Sequence, residues 1–183
     1  MKLRKRASIG ILAAGCCLAA AFVAPCAAAT PEIGPAFGIG SVRVPAPYTQ
    51  SAAAAVGLAK ELLVVWQDKR TTTDFDIYGI FVGSDGRPTR GESFLISRTA
   101  SGEGIAANQQ LPDVAFNGTH FLVVWTDFRA GPLASHIYGA RVTATGTVLD
   151  HGGIPISTTG SIYQDKAAVA SNGSGWQVVY QQY

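Results

Sequence analysis

Two aspartate–arginine pairs are the polar residues of this sequence that could bind a ligand. Asp68 and Arg70 end the phrase "LLVVWQDKR", and Asp127 and Arg129 end the closely similar phrase "FLVVWTDFR". In a binding site the carboxylate would accept hydrogen bonds and the guanidinium would hold an anionic sugar or a carboxylate. In a loop the same pair forms a salt bridge or an Asx turn. Because the pair recurs together with its surroundings, the sequence favours the structural role.

Aromatic side chains near these pairs could stack on sugars. They stand at Trp66, Tyr78, Trp125 and Tyr138, and a third, weaker copy of the phrase carries Trp176. Most of their neighbours are valine or isoleucine, which favour strands. We therefore predict that these rings form the core of the strands rather than a platform for a ligand.

No catalytic or metal-binding motif accompanies these residues. The three histidines are scattered, and Asp74 and Asp76 lack the ligand spacing and the glycine of a calcium loop. Neither G-x-S-x-G nor H-E-x-x-H occurs. The sequence therefore predicts no metal and no cofactor, and a protein that is not an enzyme.

Residues 1–29 read as a secretion signal. "MKLRKR" is a cationic start, "ASIGILAAGCCLAAAFVA" is an apolar stretch, and "PCAAAT" offers a cleavage site after Ala29. The stretch is about long enough for a membrane anchor, but Gly15, Pro25 and the many alanines favour its removal. "LAAGC", which ends at Cys16, is similar to the lipobox of bacterial lipoproteins, so lipidation at Cys16 and outer-membrane anchoring are the alternative. We expect an exported protein, extracellular or periplasmic.

Removal of this leader changes the chemistry of the remaining chain. The leader holds four of the 14 cationic side chains, none of the 12 acidic ones and all three cysteines. A cleaved chain therefore has a net charge of −2 and no thiol, which excludes disulfides, thiolate metal sites and cysteine nucleophiles. It has no basic patch for nucleic acid and no further transmembrane span.

The rest of the sequence repeats itself. "DIYG" at 76–79 matches "HIYG" at 136–139, and "VAFNGTHF" at 114–121 matches "VASNGSGW" at 169–176. The first pair is offset by 60 residues and the second by 55. Matches in a constant order, with small changes of length between them, indicate a repeated structural unit.

Each unit reads as four antiparallel strands. In the second unit they are Pro112–Gly118, Thr119–Asp127, Ser135–Thr143 and Thr147–Thr158, and the first unit follows the same plan. Turns are predicted at Asn117-Gly118, Asp85-Gly86 and Thr145-Gly146, and a bulge at Gly152-Gly153. The alanine-rich segment Gln50–Leu63 favours a helix by propensity, but it aligns with the first two strands of the other copies. We predict strands there.

The predicted organisation is all-β and antiparallel. A signal peptide covers residues 1–29, and a segment over 30–49 holds one strand of an incomplete unit at Gly40–Pro45. Repeat 1 covers 50–110, repeat 2 covers 111–164 and a partial repeat 3 covers 165–183.

The repeated phrases carry a resemblance. The run Trp-x-Asp-x-Arg, a short loop and then Asp/His-Ile-Tyr-Gly resembles the blades of secreted bacterial β-propeller repeat proteins, and is similar more loosely to the TolB-type propeller repeat. The resemblance covers Leu62–Tyr183. It implies four-stranded blades of an incomplete, truncated propeller of about 2.5–3 blades, and it carries no catalytic residues. TolB-type blades are shorter, so a cell-envelope role does not follow from the resemblance.

These observations lead to two functional hypotheses. The first is an exported, non-enzymatic repeat module that binds a protein or a glycan at the cell surface or outside the cell, or that serves as scaffold there. The alternative is a fragment or subunit of a propeller-fold hydrolase that acts on glycans. Propellers close with about four or more blades, so we also expect open blade edges and self-association through them.

Overall fold

The structure is a computed structural model that describes residues 49–70, 74–158 and 163–183. These residues all belong to one compact unit. The predicted signal peptide, Cys16 and the predicted strand Gly40–Pro45 lie outside the described residues. Within the described ranges no helix is long and apolar enough to cross a membrane.

The described residues are all-β, and their strands form three antiparallel sheets. The first sheet has the order β1-β2-β3-β4, the second β5-β6-β7-β8, and the third holds β9 and β10. The strands are β1 Gln50–Leu58, β2 Glu61–Asp68, β3 Asp76–Gly83, β4 Phe94–Leu95, β5 Gln109–Phe116, β6 His120–Asp127, β7 His136–Thr143, β8 Ile154–Ser157, β9 Gln164–Ser171 and β10 Trp176–Gln182.

The alanine-rich segment is a pair of strands, as predicted. β1 and β2 are joined at Ala59-Lys60 and pair antiparallel, with Leu58 opposite Glu61. The helix propensity of alanine is outweighed here, because Ala54 and Val56 pack against the core on alternate positions of a half-buried strand.

The predicted hairpin turns are confirmed. Gly118 has a φ of 94°, and the N–H of Asn117 donates to the carbonyl of His120 over 3.1 Å. Gly86 and Gly146 also have positive φ, at 74° and 93°. Asparagine or aspartate followed by glycine suits such tight connections because glycine adopts a positive φ without steric cost.

The prediction for the fourth strands is wrong in extent. We expected one strand from Thr147 to Thr158, but β8 begins only at Ile154, and β4 has two residues. Gly152 and Gly153 both have a positive φ, and the N–H of Gly152 donates over 2.7 Å to the carbonyl of Arg98, which lies in the connection between β4 and β5. The chain pairs with β7 on both sides of the glycine pair, at Val148 opposite Val142 and again from Ile154 opposite Gly139, so the predicted bulge at Gly152-Gly153 interrupts the expected strand.

Corresponding residues pair in the same way in the two larger sheets. Trp66 lies opposite Tyr78, and Trp125 lies opposite Tyr138. One backbone hydrogen bond occurs at corresponding places in all three sheets: Lys69 N to Thr49 O at 3.4 Å, Phe128 N to Asn108 O at 2.9 Å and Tyr183 N to Tyr163 O at 3.1 Å. The third sheet is therefore built like the first two strands of the others.

The second sheet packs between the other two. Its face with Val123 and Trp125 meets residues of the first sheet such as Leu63 in one buried cluster. Its opposite face, with Leu122 and Val124, meets residues of the third sheet in another: Ala167, Val169, Trp176 and Val178. A further cluster, which includes Trp66 and Tyr78, contains residues of the first sheet only. Successive sheets therefore stack front to back, with different faces in contact.

The first strand of each sheet carries a bulge with a left-handed residue. Non-glycine residues with positive φ stand at three corresponding positions: Ala52 at 53°, Leu111 at 52° and Lys166 at 50°. In each case the pairing register shifts, so that two residues of the first strand oppose the aromatic residue of the next strand, which is Trp66, Trp125 or Tyr180. A left-handed conformation costs a residue with a Cβ roughly 1–2 kcal/mol, so this strain is present three times.

Glycine at one of these positions should stabilise the protein. We expect Ala52→Gly to raise the free energy of unfolding by about 0.5–1 kcal/mol, because relief of the left-handed strain exceeds the entropy that glycine adds to the unfolded chain. The matched control is Ala54→Gly, two residues along the same strand and without a positive φ. It should lower the free energy by about the same amount. Urea unfolding of both variants measures the two signs, and a loss of stability in Ala52→Gly contradicts the argument.

Candidate functional site

The first Trp–Asp–Arg–Tyr cluster consists of Trp66, Asp68, Arg70 and Tyr78. Asp68 is fully buried at the end of β2. Its Oδ2 accepts hydrogen bonds from Trp66 Nε1 at 3.0 Å, from Gln50 Nε2 at 2.7 Å and from Arg70 Nε at 2.8 Å. Its Oδ1 accepts the backbone N–H of Arg70 over 2.8 Å, which closes an Asx turn. The carboxylate therefore joins two strands and the following loop.

The second Trp–Asp–Arg–Tyr cluster has the same design, with Trp125, Asp127, Arg129 and Tyr138. Trp125 Nε1 donates to Asp127 Oδ2 over 2.8 Å, and the backbone N–H of Arg129 donates to Oδ1 over 2.9 Å. Arg129 Nε donates to Asp127 Oδ1 over 2.8 Å and Nη2 donates to Oδ2 over 2.6 Å, which makes a bidentate pair. In both clusters the aspartate side chain is fully buried, and the arginine side chains are 24% and 27% exposed.

The arginines of both clusters are engaged within the protein. Arg70 Nη1 donates to Ser93 Oγ and Arg129 Nη1 donates to the carbonyl of Gly152, each over 2.7 Å. Their guanidinium carbons lie 4.3 and 3.8 Å from the ring centres of Tyr78 and Tyr138. Every guanidinium nitrogen thus has an acceptor already, which leaves little to hold an anionic ligand.

Charge pairing shifts the pKa values in these clusters. Burial, the largest single influence, raises the pKa of Asp68, but the hydrogen bonds from Arg70 and Trp66 and the charge of Arg70 outweigh it and leave the pKa lowered. Burial likewise lowers the pKa of Arg129, and the hydrogen bonds and charge of Asp127 outweigh it and raise it. Both shifts favour the charged pair, which is the behaviour of a salt bridge that holds a loop in place.

The aromatic residues that were predicted to form the core are buried to different degrees. Trp125 is fully buried, and Trp66 and Tyr78 are 4% and 5% exposed. Tyr138 and Trp176 are half-buried, and Trp176 Nε1 donates to the carbonyl of Ala115 over 3.3 Å. Trp125 and Trp176 pack between sheets. Within the described residues no group of three or more histidine, aspartate or glutamate side chains is placed to hold a metal ion.

A groove runs over the bulges of the first strands. We call it the inner groove. β5 contacts both β1 and β9 there, and the groove encloses about 320 Å³. It is lined by Ala52, Ala53, Leu111, Pro112, Asp113, Lys166, Ala167 and Ala168. The three bulge residues with a positive φ line it, and strained backbone of this kind clusters at functional sites.

Two polar residues of the inner groove differ from their counterparts in the other sheets. Asp113 corresponds to Ala54 and Ala168, each of which faces a valine on the neighbouring strand. Lys166 corresponds to Ala52 and Leu111. Asp113 Oδ2 accepts the backbone N–H of Val169 over 2.8 Å, and the Lys166 ammonium donates to Gln181 Oε1 over 3.2 Å at the surface. These two charged side chains therefore do not recur from sheet to sheet, unlike the Trp, Asp and Arg of the two clusters.

Sequence reasoning did not single out Asp113 or Lys166. The candidates predicted from the sequence were residues that recur, and residues that recur are those that build every sheet. The useful signal lay in the same alignment: a charged residue in one copy where the other copies have alanine or leucine. That these positions share a groove follows from the bulges, which the sequence did not predict.

No protein-family model matches this sequence, and no curated protein is significantly similar to it. The assignment of function therefore rests on the residues and their geometry.

Proposed function

We propose that this chain is an exported, non-enzymatic repeat module of β-propeller type, which binds a protein or a glycan outside the cell through the inner groove. The observation that carries the proposal is the division of labour between recurring and unique residues. The recurring Trp, Asp and Arg side chains pack the sheets and hold the loops, whereas the unique charged residues Asp113 and Lys166 line one groove. A ligand site on a repeat scaffold is made in this way, because the scaffold positions must stay constant.

The propeller type is part of the same proposal. Front-to-back stacking of antiparallel sheets, with the first strands side by side, is the arrangement of propeller blades around their axis. In that arrangement the inner groove lies at the axial side of the three sheets. Export follows from the signal-like residues 1–29 and is tested by the intact mass of the secreted chain, which should begin near Thr30.

A binding screen with groove variants tests the function. The purified chain is applied to a glycan array, to a panel of surface proteins and to a panel of glycosidase substrates. For any ligand bound, we expect Lys166→Ala to weaken affinity about tenfold, which is about 1.4 kcal/mol. Alanine is the residue at the corresponding position 52, where it adopts the same backbone conformation, so the scaffold should tolerate it.

A substitution outside the groove is the control, and two outcomes contradict the proposal. Leu133→Ala alters a side chain that is 81% exposed and distant in sequence from the groove strands, and it should leave affinity unchanged. Binding that Lys166→Ala does not weaken places the site elsewhere. Turnover of a glycosidase substrate that a point mutation abolishes replaces the proposal with the hydrolase alternative.

A further inference from the structure

The walls of the inner groove are apolar and carry few polar groups. Six of its eight lining residues are apolar: four alanines, Leu111 and Pro112. Its volume of about 320 Å³ is near the lower end of the range for ligand sites, which is roughly 300–1,000 Å³. The groove therefore has room for one long side chain and for the short stretch of chain that carries it.

A glycan matches these walls poorly. A sugar presents hydroxyl groups around its ring, and each hydroxyl that leaves water needs a hydrogen-bond partner. Asp113 and Lys166 are the two polar side chains among the eight described lining residues, and none of the eight has an aromatic ring on which a sugar could stack. The walls therefore favour a ligand with a long apolar part and few polar groups.

Asp113 supplies an acceptor that is fixed in place. Its Oδ2 accepts the N–H of Val169 over 2.8 Å, which holds the half-buried carboxylate against β9. Among the described residues, Oδ1 has no hydrogen-bond donor and the carboxylate has no ion-pair partner. Lysine and arginine combine an apolar stem with a cationic end. Such a side chain could lay its stem against the alanines and donate from its charged end to Oδ1.

Lys166 supplies the opposite charge at a distance along β9. It lies three residues before Val169, or about 10 Å in an extended strand. Its exposed ammonium donates to Gln181 Oε1 over 3.2 Å and can turn from there to an acidic group. In an extended peptide, side chains two residues apart point to the same side and lie about 7 Å apart. The flexible stem of Lys166 spans the remaining distance.

The edge of β9 beside the groove is not suited to strand addition. Asp113 occupies the N–H of Val169, and the bulge at Lys166 interrupts the strand. Side chains, rather than a ladder of backbone hydrogen bonds, would therefore carry recognition.

We propose that the ligand of the inner groove is an extended segment of a protein. It places a lysine or arginine side chain in the groove at Asp113 and an acidic side chain, two residues away, at Lys166. This inference rests on the proposed function, because it identifies the ligand of the groove named there.

Synthetic peptides test the cationic anchor. The probes are blocked nine-residue alanine–serine peptides with a central Lys-Ala-Glu or Glu-Ala-Lys, and the same peptides with norleucine, which keeps the stem without the charge, in place of lysine. Calorimetry should show about tenfold weaker binding of the norleucine peptide. Asp113→Asn should weaken the lysine peptide about tenfold and leave the norleucine peptide unchanged, since asparagine can still accept the N–H of Val169.

A second cycle tests the acidic contact. Lys166→Ala should weaken the glutamate peptide and should have little effect on a peptide with glutamine in its place. The matched control is Asp85→Asn, which removes the same charge from a side chain that is 65% exposed at the Asp85-Gly86 turn. It should leave every affinity unchanged. Circular dichroism and thermal unfolding confirm that each variant is folded.

The outcomes separate this inference from the proposed function. If a glycan binds and Lys166→Ala weakens it, while no peptide binds, the groove remains the binding site and the peptide inference is overturned. Peptide binding that is indifferent to Asp113→Asn or to norleucine also overturns the inference. If the wild-type chain binds neither the peptides nor any glycan or surface protein of the screen, both proposals fail.

Discussion

Replacing Asp68 with alanine is expected to lower the free energy of unfolding by about 3 kcal/mol, because removal of one partner of a buried ion pair leaves the groups that faced it without a hydrogen-bond acceptor. Trp66 Nε1, Gln50 Nε2 and the N–H of Arg70 all lose their acceptor in this variant. The Arg70 side chain is 24% exposed and can turn to solvent, so the cost falls at the lower end of the range for buried pairs.

The dependence on pH separates the charge of Asp68 from its packing. The pKa of Asp68 is lowered in the folded protein, so the unfolded chain takes up the proton first as the pH falls below about 4. The stability that the charged form contributes is therefore complete above that pH and is lost as the pH falls through the folded-state pKa. The difference between wild type and Asp68→Ala should be largest near pH 7 and should shrink in acid.

A double-mutant cycle with Arg70 is the control. Arg70→Ala alone should also destabilise the protein, and the two substitutions together should cost clearly less than the sum of the single effects, since both remove the same interaction. Chemical denaturation at pH 7 and at pH 3 gives all the required values. A cost that stays constant with pH, or two additive single effects, would show that Asp68 acts through packing alone.

The strands and turns of this fold could be predicted because their causes are local. The continuous apolar runs "LLVVW" in β2 and "FLVVW" in β6 indicate strands that are buried on both faces, and Asn117-Gly118 specifies a tight turn. Matching copies within one sequence added a further constraint: the alanine-rich β1 could be identified as a strand only because β5 aligns with it. Propensity by itself favoured a helix.

The bulges and the short fourth strands could not be predicted because their causes are tertiary. Nothing in the side chain of Ala52, Leu111 or Lys166 favours a left-handed backbone, and three different residue types adopt it. What they share is a large aromatic residue opposite them on the next strand. The break before β8 likewise coincides with a long-range contact, the hydrogen bond from the N–H of Gly152 to the carbonyl of Arg98 in the connection between β4 and β5.

Trp125→Ala is expected to have the largest effect of any single substitution in the described chain, about 3–5 kcal/mol. Trp125 is fully buried between the first two sheets, and its ring lies against the backbone at Gly153, where even a Cβ would come within 3.0 Å. Alanine would leave a cavity that these strands cannot close, and Asp127 Oδ2 would lose the Nε1 donor at 2.8 Å.

Trp176 provides the matched comparison for Trp125. It is only half-buried, packs between the second and third sheets, and has a longer hydrogen bond of 3.3 Å. Trp176→Ala should therefore cost roughly 1–2 kcal/mol, since less apolar area is lost from the core. Trp125→Phe, which keeps a ring but loses the donor, should fall between the two alanine variants.

Because Trp125 joins the first sheet to the second, its loss should also broaden the unfolding transition, as the sheets begin to unfold separately. Thermal and urea unfolding followed by two probes measures both effects. Equal costs for Trp125→Ala and Trp176→Ala, with transitions that stay sharp, would show that the packing between the first two sheets is not what holds this molecule together.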